Sequence, residues 1–310
     1  MKILTLNNIA QKGLDTLPEG YEYGPDIENP DAIIVRSADM HEYELPQSVR
    51  CIGRAGAGVN NIPTDKLAEA NIPVFNAPGA NAGSVKELVV AAMIIASRNL
   101  VAAHTYTKAL TSEGPDLKKE VESGKKQFAG HELAGKTIGV IGLGAIGARV
   151  ARAALDLNMQ VIGYDPAISN ENAQALKADG IQITSELDEL FKASNFITVH
   201  VPLIDATRGI VSAEALEQAP EGVVVLNFAR DGIVDDAAVL AALDSGKVAH
   251  YATDFPTAEL IAHERVITFP HLGASTEEAE ENSATMALNS IVEYLENDKL
   301  INAVNMPNTQ

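Results

Sequence analysis

The sequence predicts an α/β protein with two doubly wound parallel sheets linked by long helices. Three observations predict this class: short β-branched runs alternate with helix-sized stretches, the alternation occurs in two separate series, and a polar segment divides the two series. The chain has 310 residues, which is enough to form two separate cores and therefore favours two domains.

The first series predicts the strands of one sheet. Its strand-like runs are KILTL, AIIVRS, VRCIGRAG and IPVFNAP. The stretch LAEANI leads into the last run, as the helix of a βαβ unit would. We expect this domain to cover residues 1–98 and to be completed by residues 287–310, because the amphipathic pattern that starts near Asn282 predicts a last helix that returns to it.

A long apolar helix is predicted after the first series. It is expected to begin at Ser84, with Glu87 three residues later as a capping box, and to continue to about Leu110. Its apolar residues lie on all sides, and a helix that is apolar all round must be covered all round. We therefore expect the helix to link the two domains and to pack against a second subunit in a homodimer.

The second series predicts a parallel sheet over residues 99–286. Each run is apolar nearly throughout, as expected of strands that are buried on both faces. Stretches long enough for helices separate the runs, which favours a doubly wound arrangement. The runs are TIGVIGL, QVIGYD, FITVHVPL, GVVVLNFA, HYATDF and VITFPH.

The charge balance excludes several classes of partner. The chain has 42 acidic and 23 basic residues and a formal net charge of −19. Such a surface repels phosphate backbones and anionic bilayers, so we expect no nucleic-acid partner and no membrane partner. It also repels a small anionic substrate, so an enzyme for such a substrate needs a local cluster of arginine or lysine.

The cysteine content limits covalent and metal chemistry. Cys51 is the only cysteine, so neither an intrachain disulfide nor a thiolate-built zinc site is expected, and we predict no bound metal. A single cysteine suits a reducing compartment, and the cytoplasm is the expected location. The short apolar run at the N-terminus ends in Asn7 and Asn8 and has no cleavage pattern, so it predicts a strand and not a signal peptide.

A glycine motif indicates a dinucleotide site. Gly142, Gly144 and Gly147 lie in GLGAIG, directly after a predicted strand and before the helical stretch ARVARAALDL. The first glycine allows a tight turn, the second lets the backbone approach a pyrophosphate, and the third lets helix and strand pack closely. Asp165 ends the next strand, where an acid binds the adenosine ribose and repels a 2′-phosphate, so NAD is the expected cofactor. The alternative is an ordinary turn with an acid at a strand end.

With this motif, the prediction becomes two doubly wound parallel-sheet (Rossmann-like) domains linked by long helices. The sequence also resembles the D-isomer-specific 2-hydroxyacid dehydrogenase family along essentially its whole length, most of all the phosphoglycerate dehydrogenase branch. The resemblance rests on GRAGAGVNN from Gly53, NAPGANAGSVKEL from Asn76, GKTIGVIGLGAIG from Gly135, HVPL at His200, NFARDGIVDD from Asn227, TDF with Glu259, and PHLGAST from Pro270.

The resemblance implies a catalytic set of Arg230, Glu259 and His271. Histidine titrates near working pH and suits the hydroxyl proton, a carboxylate behind the ring raises the pKa of the histidine, and arginine binds a substrate carboxylate through two hydrogen bonds. Each residue has an ordinary alternative. Arg230 could pair with Asp231, Glu259 could be a surface charge, and His271 could be a polar residue before a helix that is capped by Ser275 and Glu278.

The resemblance also implies binding residues. For the cofactor they are Gly142, Gly144, Ala145, Ile146, Gly147, Asp165, His200, Pro202, Thr207, Phe228, Ala229, Asp254, Gly273 and Ala274. The alternative for Asp254 is a cap for the turn that follows it. For the substrate, the resemblance implies Arg230 and His271. The local basic cluster required by the negative surface has candidates in Arg54, beside the Gly56 to Gly58 turn, and in Lys125 and Lys126, of which Arg54 is favoured because the two lysines suit solvated loop charges. Backbone N–H groups of Ala57, Gly58 and Val59, and those around Asn81, would hold the substrate carboxylate.

The sequence departs from the family pattern in places. Asp231 replaces the usual glycine and could partly neutralise Arg230, Leu260 replaces a common proline, and the segment from Glu259 to His271 is short. The sequence ends at VNMPNTQ, near where many relatives continue into a regulatory domain, so we expect a short form that lacks it.

The expected function is NAD-dependent oxidation of D-3-phosphoglycerate to 3-phosphohydroxypyruvate, the entry step of serine synthesis in this family. One alternative keeps the chemistry and changes the small-molecule substrate to hydroxypyruvate, glyoxylate or 2-oxoglutarate. Another is a non-catalytic protein that senses NAD and binds a partner, because a fold by itself does not establish catalysis.

Overall fold

The computed structural model describes residues 1–306, and the chain divides into two compact units. Unit 1 consists of Met1–Ser84 and Ala274–Gln310, and unit 2 of Val85–Gly273. The boundaries predicted from the sequence followed residues 98 and 286. The boundaries between the units lie earlier, by 14 residues (98 − 84) and by 13 residues (286 − 273).

Unit 1 contains a five-stranded parallel sheet in the order β2-β1-β3-β4-β5. The order reverses between β1 and β3, as in other doubly wound sheets. Apolar side chains form a core on each face of the sheet. The strands and the two short helices are β1 (Lys2–Leu6), α1 (Gln11–Leu14), β2 (Glu22–Gly24), β3 (Ala32–Val35), β4 (Cys51–Arg54), α2 (Thr64–Glu69) and β5 (Val74–Phe75).

The last helix of the chain, α12 (Glu277–Asn297), packs on this sheet. Ala284, Leu288 and Ile291 are fully buried in the core that also contains Ile3 and Phe75. This packing explains why unit 1 takes the whole helix and not only residues 287–310. The helix begins earlier than Asn282. Thr276, and not Ser275, caps it, because the Thr276 hydroxyl accepts the Ala279 N–H.

Unit 2 contains a seven-stranded parallel sheet in the order β12-β11-β10-β9-β6-β7-β8. The order confirms the predicted doubly wound class, and only the short strand β8 has no counterpart among the predicted runs. The elements are β6 (Thr137–Ile141), α6 (Gly147–Asp156), β7 (Gln160–Tyr164), α7 (Asn170–Ala178), β8 (Gln182–Thr184), α8 (Leu187–Ala193), β9 (Phe196–Val199), α9 (Ala213–Gln218), β10 (Val223–Asn227), α10 (Asp236–Ser245), β11 (Val248–Thr253), α11 (Ala258–Ala262) and β12 (Val266–Thr268).

The single helix predicted from Ser84 to Leu110 is wrong. The segment forms α3 (Ala82–Arg98) and α4 (Leu100–Ala109), which meet at a 65° bend. Asn99 between them has a left-handed φ of 51°, which a continuous helix cannot include. Ser84 lies inside α3, so the predicted capping box is also wrong. Most of α3 belongs to unit 2 because Val85, Val89 and Met93 are buried in that unit's core.

The polar segment after α4 is also helical, which the sequence did not predict. It forms α5 (Gly114–Gly124) and a 3-10 helix (Lys125–Phe128), and Tyr106 of α4 stacks on Phe128 with 5.3 Å between the ring centroids. Within residues 1–306, no single helix is long and apolar enough to cross a membrane, although α3 and α4 taken together meet the criteria of length and composition.

Candidate functional site

The glycine turn lies between β6 and α6 in unit 2. Gly142 has a φ of +93°, and a side chain there would place its Cβ 2.6 Å from the His200 carbonyl oxygen. A side chain on Gly147 would collide with the Gly142 carbonyl. At Gly144 no protein atom lies within 4 Å of the Cβ position, so its exposed backbone is open to a ligand. This is the space that a pyrophosphate needs at a helix N-terminus.

Asp165 lies at the end of β7 and is bound to the same turn. Its Oδ2 accepts the Leu143 N–H at 2.9 Å, and its Oδ1 accepts the Ala167 N–H at 2.9 Å. The carboxylate is therefore fixed, and each oxygen keeps a lone pair for a ribose hydroxyl. The residues present fit a dinucleotide, because an open glycine backbone and an oriented acid lie at one end of the sheet.

The loop after β9 carries three of the predicted cofactor residues. The His200 Nε2 lies 2.9 Å from the Thr198 hydroxyl, and burial lowers the pKa of His200 to about 3, so the ring is neutral. Its Nδ1 is buried without a hydrogen-bond partner in the part of the chain that is described. The Thr207 hydroxyl accepts the Ile204 N–H at 2.9 Å and donates to the Pro202 carbonyl at 2.5 Å, which closes the loop.

The predicted cofactor residues after β10 are part of the core. Phe228 and Ala229 are buried, and the Phe228 ring packs against Phe269 with 5.9 Å between the centroids. Their side chains fill the interior of unit 2, which leaves the backbone as the part of this segment that can contact a ligand. The other predicted residues of this set differ in exposure: Ala145 and Ala274 are exposed, Ile146 is half-buried and Gly273 is buried.

Arg230 follows these residues and its side chain is exposed. The Nη1 atom donates to the Ala229 carbonyl at 2.6 Å, and the Asn227 side chain donates to the Arg230 carbonyl at 2.9 Å. No ion pair within residues 1–306 joins Arg230 to Asp231. The neutralisation suggested by the sequence therefore does not occur through direct contact.

His271 lies after β12, and Glu259 lies in α11. His271 is exposed, has a left-handed φ of 56°, and its ring meets the edge of Phe255 with 5.1 Å between the centroids. Glu259 is exposed in the first turn of α11. No ion pair joins the two residues in the described part of the chain, so their pairing stays a prediction. Such catalytic contacts often tighten only when substrate binds.

Asp254 lies behind the loop that carries His271. Its side chain is 1% exposed, and its two oxygens accept the N–H groups of Leu272 at 2.8 Å and Gly273 at 2.6 Å. The carboxylate thus binds a turn 18 residues further along the chain and not the turn that directly follows it, as the alternative reading of the sequence had it.

The substrate residues predicted in unit 1 lie at and directly after the end of β4, except Asn81. A side chain on Gly56 would collide with the Arg54 guanidinium, so this glycine leaves room for the arginine. Within residues 1–306, the N–H groups of Ala57, Gly58 and Val59 donate to no backbone acceptor, as a carboxylate-binding turn requires. Asn81 precedes α3, and its buried Oδ1 has no partner among the same residues.

Unit 1 also contains a cleft that the sequence analysis did not find. Asn7, Asn8, Arg36 and Ser37 line a cavity of about 380 Å³ at the carboxyl ends of β1 and β3, where the strand order reverses. Ligands of doubly wound sheets bind at such positions. The Arg36 Nη2 lies 2.5 Å from Glu280 Oε1. The available signal was Arg36, the arginine near the end of the run AIIVRS.

No metal site is evident in the described chain. Within residues 1–306, no group of three or more His, Cys, Asp or Glu side chains is arranged to hold a metal ion. One carboxyl group close to Asp231 and Glu259 has a shifted pKa. Burial, followed by the charges of Asp231, Asp235 and Glu259, raises the pKa of Asp236 to about 6.

Comparisons with known proteins agree with this geometry. Residues 90–273 match the model of the family described as D-isomer specific 2-hydroxyacid dehydrogenase, NAD binding domain. The chain is 38% identical over 291 residues to a D-3-phosphoglycerate dehydrogenase of Methanocaldococcus jannaschii, covering 91% of this chain and 53% of the relative. It is 37% identical over 262 residues to a hydroxypyruvate reductase of Thermotoga maritima, covering 81% of this chain and 80% of the relative.

The fold of the chain is also similar to that of a solved 3-phosphoglycerate dehydrogenase. The NAD⁺-bound 3-phosphoglycerate dehydrogenase of Entamoeba histolytica superposes with a TM-score of 0.76 at 27% identity, and the match covers 99% of each chain. The chain spans about half the length of the first curated phosphoglycerate dehydrogenases that it matches.

Proposed function

Since the chain belongs to the D-isomer-specific 2-hydroxyacid dehydrogenases, whose NAD-binding domain is unit 2, we propose that it oxidises D-3-phosphoglycerate to 3-phosphohydroxypyruvate with NAD. One observation carries the proposal. The glycine turn, Arg230 and His271 all follow the carboxyl ends of strands in one parallel sheet, so they lie at the edge where such sheets bind ligands.

The residues of unit 2 divide the chemistry between them. The exposed guanidinium of Arg230 binds the substrate carboxylate and polarises the reacting oxygen. His271 takes the proton from the hydroxyl, and Glu259 stabilises the imidazolium that results. When NAD is bound, it supplies the acceptor for the hydride. The turn at Gly144, the carboxylate of Asp165 and the loop from His200 to Thr207 hold this cofactor.

We assign binding of the substrate's phosphate to arginine side chains of unit 1. The strongly negative chain needs local positive charge for a substrate with both a carboxylate and a phosphate, and Arg54 and Arg36 each follow or end a strand of the same sheet. Phosphate is the favoured partner because the guanidinium fork matches its geometry. Hydroxypyruvate, glyoxylate and 2-oxoglutarate remain the alternative substrates, and the similarity to a hydroxypyruvate reductase favours the first of them.

The test is the rate of NADH oxidation with 3-phosphohydroxypyruvate beside hydroxypyruvate, glyoxylate and 2-oxoglutarate. We expect the phosphorylated acid to have the highest kcat/KM, and Arg54→Ala to raise its KM far more than that of hydroxypyruvate. His271→Ala should lower kcat by roughly 10²–10⁴-fold with NADH binding retained, and exposed His131→Ala serves as the control.

Other outcomes reassign the protein. A preference for an unphosphorylated acid would keep the dehydrogenase and reject the phosphate assignment. Absence of turnover with all four acids, with NADH still bound, would reject the enzyme and favour an NAD sensor.

We also propose a cytoplasmic homodimer that contacts its second copy through α4. Leu100 and Val101 are 43% and 56% exposed, and none of the residues of α4 or α5 is buried. Apolar surface of this kind marks a contact with another protein. Light scattering should give the mass of two chains, and Val101→Asp should reduce it to one. An unchanged mass would reject this interface.

A further inference from the structure

Asn227 closes the turn that carries Arg230. It is the last residue of β10 and is 1% exposed. Its Nδ2 donates to the Arg230 carbonyl at 2.9 Å, and its Oδ1 accepts the Ala229 N–H at 3.2 Å. The nitrogen and the oxygen of the buried Asn227 amide therefore both bind the backbone segment that carries the Arg230 side chain.

Asp254 holds the loop of His271 in the corresponding way. Its two oxygens accept the N–H groups of Leu272 and Gly273, the two residues directly after the histidine. His271 itself has a left-handed backbone, which is unfavourable for a residue with a side chain and persists only when its surroundings hold it. The two hydrogen bonds from Leu272 and Gly273 to the Asp254 carboxylate stabilise this backbone conformation.

The two residues that carry these buried side chains are joined through their backbones. Strands β10 and β11 are parallel neighbours in which Asn227 pairs with Thr253, and the Asp254 N–H donates to the Asn227 carbonyl at 3.1 Å. Phe255, the next residue, contacts the His271 ring. Arg230 and His271, which are 41 positions apart (271 − 230), are thus connected through a short series of buried hydrogen bonds.

We propose that Asn227 and Asp254 form a brace, the Asn227–Asp254 brace, that fixes Arg230 and His271 relative to each other for proton and hydride transfer. Both are positioning residues that act through their neighbours. The inference rests on the proposed function, because it takes Arg230 and His271 as the groups that contact substrate. It gives Asp254 a role toward His271 in addition to the cofactor contact, which stays a prediction.

Asn227→Asp is the first test, because the variant keeps the shape of the side chain and replaces the Nδ2 donor to the Arg230 carbonyl with an oxygen, while also placing a carboxyl group at a buried position. We expect kcat/KM to fall roughly 10–100-fold, as for small displacements of a catalytic group, while NADH affinity stays within about twofold. Asn195→Asp is the control for the same chemical change, since the half-buried Asn195 directly precedes β9 and its side chain accepts the N–H of Thr137, the first residue of β6, at 3.0 Å. It should leave kcat/KM unchanged.

A double-mutant cycle separates positioning from a general structural effect. In an Arg230→Lys background, Asn227→Asp should cost little beyond the loss caused by Arg230→Lys alone. Equal losses in both backgrounds, or a loss confined to NADH affinity, would overturn the assignment of Asn227. Asp254→Asn should likewise lower kcat in the wild-type background and add little in a His271→Asn background.

Amide hydrogen exchange tests the brace without activity. Asp254→Asn should speed exchange at Leu272 and Gly273, and Asn227→Asp should speed it at Ala229, while Asn195→Asp changes neither. Unchanged exchange in the first two variants would overturn the brace. If Arg230→Lys and His271→Asn turned over substrate at the wild-type rate, the catalytic roles proposed for Arg230 and His271 would fail, and the exchange result would still decide whether the brace exists.

Discussion

The carboxylate of Asp165 accepts a hydrogen bond from the backbone of Leu143, 2.9 Å away, so the acid at the end of β7 is tied to the glycine turn after β6. This contact explains how an acid some 20 residues beyond the first glycine comes to lie beside the cofactor site. We therefore expect the negative charge of Asp165 to decide the selectivity between the two nicotinamide cofactors.

Asp165→Asn should weaken discrimination between the two nicotinamide cofactors. The amide keeps one acceptor oxygen and loses the charge that repels a 2′-phosphate, so we expect NADH affinity to fall about tenfold while NADPH affinity rises or stays constant. Fluorescence titration with both cofactors measures the two dissociation constants. Asp179→Asn, at an acid paired with Arg152 at 2.7 Å, is the control. An unchanged NADH/NADPH ratio in Asp165→Asn would contradict the assignment.

Gly144→Ala should weaken NADH binding without changing the stability of the fold, whereas Gly147→Ala should also lower the stability. The Cβ at 144 meets no protein atom within 4 Å, so the folded protein accommodates it, but it enters the space assigned to the pyrophosphate. We expect an unchanged Tm and NADH affinity lower by roughly tenfold or more, since the backbone can no longer approach the anion. Gly147→Ala should lower Tm as well, because its Cβ meets the Gly142 carbonyl. Tight NADH binding by Gly144→Ala would argue against this cofactor position.

Asp236 should make the protein less stable as the pH rises. Burial, assisted by three neighbouring acids, raises its pKa from 3.8 to about 6. The folded state then binds the proton more tightly than the unfolded state, so the free energy of unfolding falls as the pH rises through this window. Asp236→Asn should therefore increase stability near neutral pH by about 1 kcal/mol, given the partial exposure of the group, and by nearly nothing below pH ~4. Urea unfolding across this range measures it; a pH-independent difference would contradict it.

Leu260 explains one departure from the family pattern and gives a stability test. Its side chain is fully buried, and its N–H donates to the Thr257 hydroxyl, a bond that proline could not make. Leu260→Ala should lower the free energy of unfolding by about 2–4 kcal/mol, and Thr257→Ala by about 1 kcal/mol. Ile261→Ala, at a side chain that is 65% exposed, is the matched control and should change little. Comparable losses at 260 and 261 would show that α11 is not anchored through Leu260.

The strands of unit 2 were predictable because their information is local. A strand buried on both faces needs a continuous apolar run, and the glycine turn needs glycine at fixed spacing, so TIGVIGL followed by GLGAIG identifies both β6 and the cofactor turn. Helices without a buried face were harder. Every residue of α5 is exposed or half-buried, and its polar sequence has no apolar period that would distinguish it from a loop.

The break between α3 and α4 was not predictable for a related reason. The apolar pattern continues through Asn99, and asparagine is compatible with a helix as well as with the left-handed conformation that it adopts here. The neighbouring packing decides between them, because α3 is buried in the core of unit 2 and α4 contributes no buried residue.

The sequence by itself determined the class of the fold and the position of the dinucleotide turn, because each depends on spacing within a few residues. Arg230, Glu259 and His271 became candidates through the resemblance of their motifs to those of the family. Only the tertiary structure decided which side chains support them. Asn227, Asp254 and the Arg36 cleft acquire their roles from hydrogen bonds and strand neighbours that join distant parts of the chain. The order of the parallel strands brings these distant residues together, and the local periodicity of the sequence does not determine that order.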